Sequence, residues 1–209
     1  MRVLITAGPT REPLDPVRFI SNRSTGKMGF ALAQAAESAG HEVTLIAGPV
    51  TLPTPERVTR VDVETALEML AAVETHLPQA DVYISCAAVA DWRPEVCSPV
   101  KLKKAGMDGV LKLVRNPDIL KTIRPLKGNR IFVGFAAETG TPEPEAERKL
   151  REKGLDLIVA NDVTAPGAGF ATDTNCVTLL FPDGRREALS LRSKLEIAQE
   201  IVAKIATLR

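Results

Sequence analysis

Short apolar runs alternate with helix-like segments along the first 160 residues, and this alternation constrains the fold more than any other feature. The strand-like runs are Arg2–Ala7, Glu42–Ala47, 82–87, 131–136 and 156–160, and the helix-like stretches are 26–39, 63–74, 117–123 and 144–153. Strands that are rich in valine and isoleucine and apolar on both faces suit a parallel sheet covered by helices. The alternation therefore predicts an α/β fold: a doubly wound, mostly parallel, Rossmann-like sheet with helices on both faces.

The last part of the chain has a different pattern. Residues 176–181 and 185–189 read as two strands, and Asp183-Gly184 between them is a typical turn pair. We expect a C-terminal β-hairpin over about 175–190, followed by a final helix over 192–208. A chain of 209 residues can bury a large core, so the prediction is a single domain spanning 1–209.

Composition excludes several classes of protein. The formal net charge is +1, which gives no reason to expect binding to nucleic acid or to anionic membranes. No apolar run is long enough to cross a bilayer. Cys86, Cys97 and Cys176 are odd in number and lack metal-ligand spacing, which predicts a reduced, cytoplasmic protein. The two histidines flank predicted helices, so we expect surface positions for them and chemistry without histidine.

The connection from the first strand to the first helix is unusually long. Such connections normally take a few residues, whereas this one holds three prolines and many polar side chains before it ends in Ser24-Thr-Gly-Lys-Met-Gly29. Hydroxyl groups and free N–H groups at a helix N-terminus favour anions. We predict that Ser24 and Gly26 bind a phosphate-bearing ligand. The alternative is that Gly26 and Gly29 only allow close helix–strand packing.

Two familiar phosphate motifs do not fit this connection. A P-loop would need glycine where Ser21 stands and a hydroxyl residue where Met28 follows the lysine. The dinucleotide fingerprint fails because Pro9 and Thr10 follow Gly8, and the second strand ends without an acidic residue. A mononucleotide or another phosphate ester is therefore favoured. An NAD(P)-dependent oxidoreductase and a non-catalytic nucleotide-binding module remain as alternatives.

Unusual residues follow the later strands as well. Ligands of open parallel sheets bind at the carboxyl ends of strands, where Asp91, Glu138 and Asp162 stand. Asp91 is the candidate to hold Mg²⁺ against phosphate oxygens, because hard cations take carboxylate ligands; a capping or turn role is its alternative. The cluster Lys101-Leu-Lys-Lys104 lies in a glycine-containing segment that could close over bound phosphates. A solvated surface remains the simpler interpretation of Lys103 and Lys104.

Two further groups read as structural from the residues alone. Asn116-Pro117-Asp118 is a well-formed helix start, with a capping side chain and proline at the first position. Lys149 and Lys153 share a helix face with Glu145, one turn before Lys149, which predicts a surface ion pair.

Eight segments, in order over nearly the whole chain, closely resemble phosphopantothenoylcysteine synthetase, also called phosphopantothenate–cysteine ligase. They are ITAGPTREPLDPVR at 5–18, ISN at 20–22, GKMG at 26–29, CAAVAD at 86–91, KLKK at 101–104, NPD at 116–118, GFAAET at 134–139 and ANDV at 160–163. In bacteria this ligase is usually the C-terminal half of a bifunctional protein of coenzyme A biosynthesis. Its other half is a flavin-dependent decarboxylase, so a fused or associated decarboxylase is an expected partner.

The resemblance implies a reaction. The family joins the carboxylate of 4′-phosphopantothenate to the amine of L-cysteine, and the bacterial type activates the acid with CTP. The carboxylate attacks the α-phosphate, pyrophosphate leaves, and cysteine then displaces CMP from the acyl-cytidylate. The resemblance also implies Mg²⁺ or Mn²⁺ as the metal and a homodimer, for which the C-terminal hairpin is a candidate interface.

The resemblance assigns roles to particular residues. Asn22 would hold the acyl-cytidylate, Arg18 would organise that site, and Ala87 and Ala88 would contact the substrate. Lys101 would lie on a flap over 93–109, and Asp91 would serve the nucleotide and its metal. The implied nucleotide-binding residues are Ser24, Gly26, Ser85, Cys86, Ala87, Asp91, Lys101, Pro117, Asp118, Ile119, Leu120, Phe135, Lys149 and Lys153.

Overall fold

The computed structural model describes residues 1–104 and 109–208. Its strands are β1 Arg2–Ala7, β2 Arg11–Pro13, β3 Phe19–Ser21, β4 Glu42–Ala47, β5 Val58–Asp62, β6 Val82–Ser85, β7 Trp92–Pro94, β8 Leu113–Arg115, β9 Ile131–Glu138, β10 Leu157–Asp162, β11 Thr174–Leu180 and β12 Arg186–Ser193. Its α-helices are α1 Lys27–Ser38, α2 Ala66–His76, α3 Ile119–Ile123, α4 Glu143–Lys153 and α5 Lys194–Ala206.

Within the described residues, eight strands form one mixed sheet in the order β12-β11-β10-β9-β6-β1-β4-β5. The six strands from β10 to β5 are parallel to their neighbours, and β11 and β12 add an antiparallel hairpin. The strand order reverses between β1 and β6. In open α/β sheets, ligands bind beside such a reversal, at the carboxyl ends of the strands.

The helices cover both faces of the sheet, which confirms the predicted doubly wound α/β fold. Buried side chains of α1 and α5 form one core with the sheet, and those of α2, α3 and α4 form the other. Burial of apolar surface contributes about 25 cal/mol per Å², so these two cores supply most of the stabilisation. None of the helices in the described ranges is long and apolar enough to cross a membrane.

Capping side chains fix where two helices begin. The predicted helix over 63–74 starts only at Ala66, because the Thr65 hydroxyl accepts a hydrogen bond from Glu68 N and the Glu68 carboxylate accepts one from Thr65 N. Ser193 and Glu196 form the same capping box before α5. Each such cap stabilises a helix by about 1 kcal/mol.

Strand bounds differ from the predictions at the ligand edge of the sheet. The chain leaves the sheet after Ser85, earlier than predicted, because Ala88 N bonds to Gly8 O in the neighbouring loop. Conversely, β9 extends to Glu138 and β10 extends to Asp162, and these two residues are paired with each other in the sheet. The predicted hairpin is confirmed, with Gly184 in its turn.

Two short ribbons lie inside segments for which no strand was predicted. β2 pairs with β3 within the long first connection, and β7 pairs with β8. Ser98 N donates a hydrogen bond to Leu14 O, which joins the two ribbons. The buried Glu12 carboxylate accepts a hydrogen bond of 3.0 Å from Ala66 N, so β2 is fastened to the start of α2. The long connection is therefore an ordered structure against the sheet edge.

Candidate functional site

Two pockets lie at the carboxyl ends of β6 and β9 and share Ala87 and Phe135 in their linings. The α3 pocket is lined by Ser85, Ala87, residues 89–91, residues 116–120, Phe135 and Lys153. The α1 pocket is lined by residues 24–29, 86–88 and 135–137, together with Asn161, Gly169, Phe170, Asn175 and Lys194.

The α3 pocket brings together most of the predicted nucleotide-binding residues. These are Ser85, Ala87, Asp91, Pro117, Asp118, Ile119, Leu120, Phe135 and Lys153. Asn116 fixes their geometry, since its Nδ2 donates to Ala90 O at 2.8 Å and its Oδ1 accepts from Arg93 at 3.0 Å. Strand ends that are far apart in sequence thus form one surface.

A lysine–carboxylate pair lies at one side of the α3 pocket. Lys153 Nζ is 2.9 Å from Asp118 Oδ2, and Asp118 Oδ1 accepts the capping bond from Lys121 N. Burial acts to raise the pKa of the Asp118 carboxyl group, but the hydrogen bonds from Lys153 and Lys121 outweigh it and lower that pKa. Asp118 is therefore ionised and held, and the predicted helix-start role of 116–118 is present in the structure.

Asp91 presents an exposed carboxylate to the same pocket. Within the described ranges this carboxylate has no hydrogen-bond or ion-pair partner, and no group of three metal-ligating side chains exists. Mg²⁺ is commonly held by one or two carboxylates plus substrate phosphates. The donor set at Asp91 fits a metal that arrives with a nucleotide.

Lys149 lies outside the lining of the α3 pocket. Its Nζ is 2.7 Å from Glu138 Oε1 and 3.6 Å from Glu145 Oε1. The surface ion pair with Glu145 that the spacing predicted is present, and the shorter contact goes to the end of β9. Lys153 therefore lines the α3 pocket, whereas Lys149 lies outside the lining and is paired with Glu138 and Glu145.

Ser24 and Gly26 line the α1 pocket, as does Cys86. Gly26 has φ +79°, a left-handed conformation that suits glycine, and it precedes the first turn of α1. A Cβ on Gly29 would lie 2.4 Å from Ala7 Cβ, so close packing explains Gly29. Burial raises the pKa of the Cys86 thiol to about 12, so this thiol stays protonated.

Asn22 lies outside the linings of both pockets and contacts the backbone of Ala88, the residue after the shared Ala87. Its Nδ2 donates a hydrogen bond of 2.9 Å to Ala88 O, directly after the end of β6. The side chain is exposed, and Ala88 itself lines the α1 pocket. Asn22 therefore links the long first connection to the junction between β1 and β6.

Arg18 and Asp15 anchor the segment that carries Lys101. The Arg18 guanidinium lies 2.5 Å from Asp15 Oδ2 and donates a bond of 2.9 Å to Leu102 O, while Leu102 N donates to Asp15 Oδ2 at 3.1 Å. Lys101 itself is exposed. The predicted flap over 93–109 includes residues 105–108, which lie outside the described residues.

The Arg18 contact holds the pKa of the buried Asp15 carboxyl group well below its usual value of 3.8. A lowered pKa stabilises the fold above the unfolded value and loses that contribution as pH falls through the folded value. We expect Asp15→Asn to lower the melting temperature at pH 7, with a difference from wild type that shrinks below about pH 4. Melting curves between pH 2.5 and 7 measure it; a constant difference would contradict it.

Sequence reasoning gave no role to Asn175, Phe170 or Lys194, all of which line the α1 pocket. Lys194 is buried and donates to the carbonyl groups of Gly169, Phe170 and Thr172, which fixes this loop as a wall of the pocket. Lys27 is engaged too, since its Nζ contacts Asp173 Oδ1 at 2.6 Å. Asn161 also lines this pocket, and its position at the end of a predicted strand did indicate a place near a ligand.

Comparison with known proteins decides the family. The model of the DNA/pantothenate metabolism flavoprotein C-terminal domain matches residues 1–208. The chain belongs to this family. It is 51% identical over 209 residues to a coenzyme A biosynthesis bifunctional protein CoaBC of Vibrio vulnificus, and 51% identical over 211 aligned positions to CoaBC of Escherichia coli K12. Each match covers 99% of the chain and 52% of the relative, so the chain spans about half the length of these proteins.

Solved structures agree. The crystal structure of the C-terminal domain of a CoaBC protein matches with a TM-score of 0.85 and 45% identity, over 99% of this chain and 94% of that one. Cab2 H337A, solved in complex with phosphopantothenate-cysteine, has a TM-score of 0.78 over 99% of this chain and 87% of that one, at 19% identity. The second match shows a shared fold. The family predicted from the sequence segments is confirmed.

Proposed function

We propose that this chain joins 4′-phosphopantothenate to L-cysteine, with CTP as the activating nucleotide and an acyl-cytidylate as the intermediate. The observation that carries the proposal is the α3 pocket, whose lining includes nine of the fourteen nucleotide-binding residues that the resemblance implies. The coenzyme A role of the CoaBC relatives supports it. The phosphopantothenate-cysteine named for Cab2 supports the choice of substrates.

The proposed first step must bring two anions together, so positioning and charge neutralisation dominate it. Lys153 and Asp91 border the pocket in which the nucleotide would lie. The Asn22 amide, held beside Ala88, would donate a hydrogen bond to the acyl phosphate. Lys101, on the anchored segment, would neutralise charge on the same phosphate. Arg18 acts by holding that segment through Leu102 O, at 2.9 Å.

A divalent cation completes this arrangement in the proposal. Asp91 would hold Mg²⁺ or Mn²⁺, and the ion would screen the nucleotide phosphates. Within the described residues Asp91 has no competing ion pair, which leaves its carboxylate available.

The cytoplasmic location of the protein also stays a prediction.

The partner domain belongs to the proposal as well. The relatives are bifunctional and about twice as long as this chain. We propose that a flavin-dependent decarboxylase, fused or separate, supplies the other activity.

We also propose a homodimer, formed through the two ribbons. Large apolar side chains are exposed there: Phe19 is 47% exposed, Val96 74% and Leu113 42%. On the C-terminal hairpin, proposed above as the interface, Leu191 at 53% is the exposed large apolar side chain among the described residues. Large apolar side chains left exposed on one part of a protein are typical of a surface that contacts another protein.

Leu113→Asp is expected to convert the dimer to a monomer, because it buries a charge at the proposed interface. Leu191→Asp is the matched control on the hairpin and should remain dimeric. Sedimentation velocity measures both. Dissociation of the control alone would assign the interface to the hairpin instead.

Pyrophosphate release tests the proposed function. The protein is incubated with Mg²⁺ and 4′-phosphopantothenate, with CTP, ATP or NADH, and with or without cysteine. Phosphopantothenate-dependent release from CTP, sustained only with cysteine, supports the ligase. Binding of CTP without release would favour a non-catalytic nucleotide-binding module, and NADH fluorescence quenching would favour an oxidoreductase.

A further inference from the structure

Thr10 is a buried threonine that is bonded to the segment carrying Asn22 and to the segment carrying Asp91. Its hydroxyl group accepts a hydrogen bond of 3.0 Å from Ala90 N, in the residue directly before Asp91. Its carbonyl oxygen accepts a hydrogen bond of 2.7 Å from the hydroxyl group of Ser21, the residue directly before Asn22. A single buried residue therefore joins the two segments on which the proposed chemistry depends.

The backbone N–H of Thr10 makes a further contact between these segments. Thr10 N donates a hydrogen bond of 3.3 Å to Ala88 O, the same oxygen that accepts the bond of 2.9 Å from Asn22 Nδ2. Thr10 and Asn22 thus share one acceptor on the chain that leads to Asp91. The N–H, the carbonyl oxygen and the hydroxyl group of Thr10 are all engaged in holding the two segments together.

The start of α3 holds the Asp91 segment as well. Asn116 Nδ2 donates to Ala90 O at 2.8 Å, and Asn116 N donates to Asp91 O at 2.8 Å. Thr10 therefore binds the N–H of Ala90, while Asn116 binds its carbonyl oxygen. Fully satisfied buried networks of this kind rigidify the groups within them. The Thr10 hydroxyl supplies the part of this network that comes from the first connection.

The proposed activation step depends on how the two segments are placed. Asn22 would hold the acyl phosphate, and Asp91 would serve the nucleotide and its metal. A displacement of about 1 Å at a reacting group can lower a rate by about a hundredfold. Loosening one segment against the other should therefore slow the step even though every residue that lines the α3 pocket is retained.

We propose that Thr10 is a positioning residue for the activation step: it fixes the Asp91 segment, through Ala90 N, against the segment that carries Asn22. This inference rests on the proposed ligase function. Thr10 lies outside the linings of both the α1 and the α3 pocket, so it acts through its bonded neighbours and not by contact with a substrate.

Thr10→Val tests the assignment, because it keeps the branched side chain and removes the acceptor of Ala90 N. Exchange of labelled pyrophosphate into CTP needs phosphopantothenate but no cysteine, and we expect its rate to fall about tenfold to a hundredfold. The Kd for CTP, measured by calorimetry, should change by less than about twofold, because the lost positioning acts on the transition state. Thr10→Ser restores the hydroxyl group and should restore exchange.

A double-mutant cycle separates positioning from a general loss of stability. In a protein that already has Asp91→Asn, Thr10→Val should lower the exchange rate by less than about twofold, because its effect passes through Asp91. Val73→Ala removes buried volume in α2; this control should lower the melting temperature and keep the wild-type exchange rate. Equal losses from Thr10→Val with and without Asp91→Asn would overturn the inference.

Ser21→Ala provides a second variant in case Thr10→Val fails to fold, since Ser21 is exposed. It removes the bond to Thr10 O and should also slow exchange while the Kd for CTP stays unchanged. Thr75→Val is the matched control: it removes a hydroxyl group that bonds to Ala71 O on α2, and it should behave as wild type. Wild-type exchange in folded Thr10→Val or Ser21→Ala protein would overturn the inference. Absence of exchange in the wild-type protein would instead overturn the proposed function itself.

Discussion

Replacing Asn22 with aspartate is expected to lower the rate of product formation by at least a hundredfold. The Asn22 amide donates to Ala88 O at 2.9 Å, and an ionised carboxylate at that place cannot donate. It would also stand beside the phosphate of the proposed intermediate. Two like charges 4 Å apart repel by about 4 kcal/mol at an effective dielectric constant of about 20, which corresponds to about a thousandfold in rate.

The measurement is single-turnover formation of phosphopantothenoylcysteine, together with pyrophosphate–CTP exchange. Both should fall, because the charge acts on the first step. Asn129→Asp, on an exposed turn, is the control for adding a carboxylate elsewhere. Asn22 is exposed, so losing its bond to Ala88 O should destabilise the fold by only about 1 kcal/mol, and thermal melting should show that the variant is folded. Wild-type turnover by a folded Asn22→Asp protein would remove Asn22 from the reaction.

Fold elements with strong local signals could be predicted from the sequence. β1 and β4 were predicted with their observed bounds, because their apolar runs are almost fully buried between helices. β5 was missed because it is an edge strand with half-exposed side chains, so it lacks an apolar run. The two ribbons depend on contacts such as Ser98 N to Leu14 O, which no local pattern reveals.

Some residues of the candidate site could likewise be predicted from the sequence, and others could not. Strand ends indicated the edge of the sheet where the α3 pocket lies, because the topology of a parallel sheet brings strand ends together. The helix start at 116–118 had a structural role from the residues alone, and only the family resemblance gave it a ligand role. The main partner of Lys149 is Glu138, 11 residues away, and helical spacing could indicate only Glu145. Asn175 lies within a strand and carried no signal. Its buried, unpaired Oδ1 depends on the packing of the folded chain, which no local sequence pattern reveals.

Lys101→Gln is expected to reduce turnover by about tenfold to a hundredfold without changing the melting temperature. The residue is exposed and has no ion pair among the described residues, so the fold does not depend on its charge. Its neighbour Leu102 is fixed to Asp15 and Arg18 by bonds of 3.1 and 2.9 Å, which anchors the backbone beside Lys101. A cation placed over developing phosphate charge acts mainly in the transition state, so kcat should fall more than KM for CTP changes.

Lys103→Gln is the matched control, because it removes the same charge two residues further along, where the side chain is also exposed. Steady-state kinetics with CTP and phosphopantothenate varied separately distinguish the two variants. Similar small losses in both would mean that the segment contributes only a general positive field, which added salt would screen. A large loss confined to Lys101→Gln, and little affected by salt, would place this ammonium group in contact with the reacting phosphate.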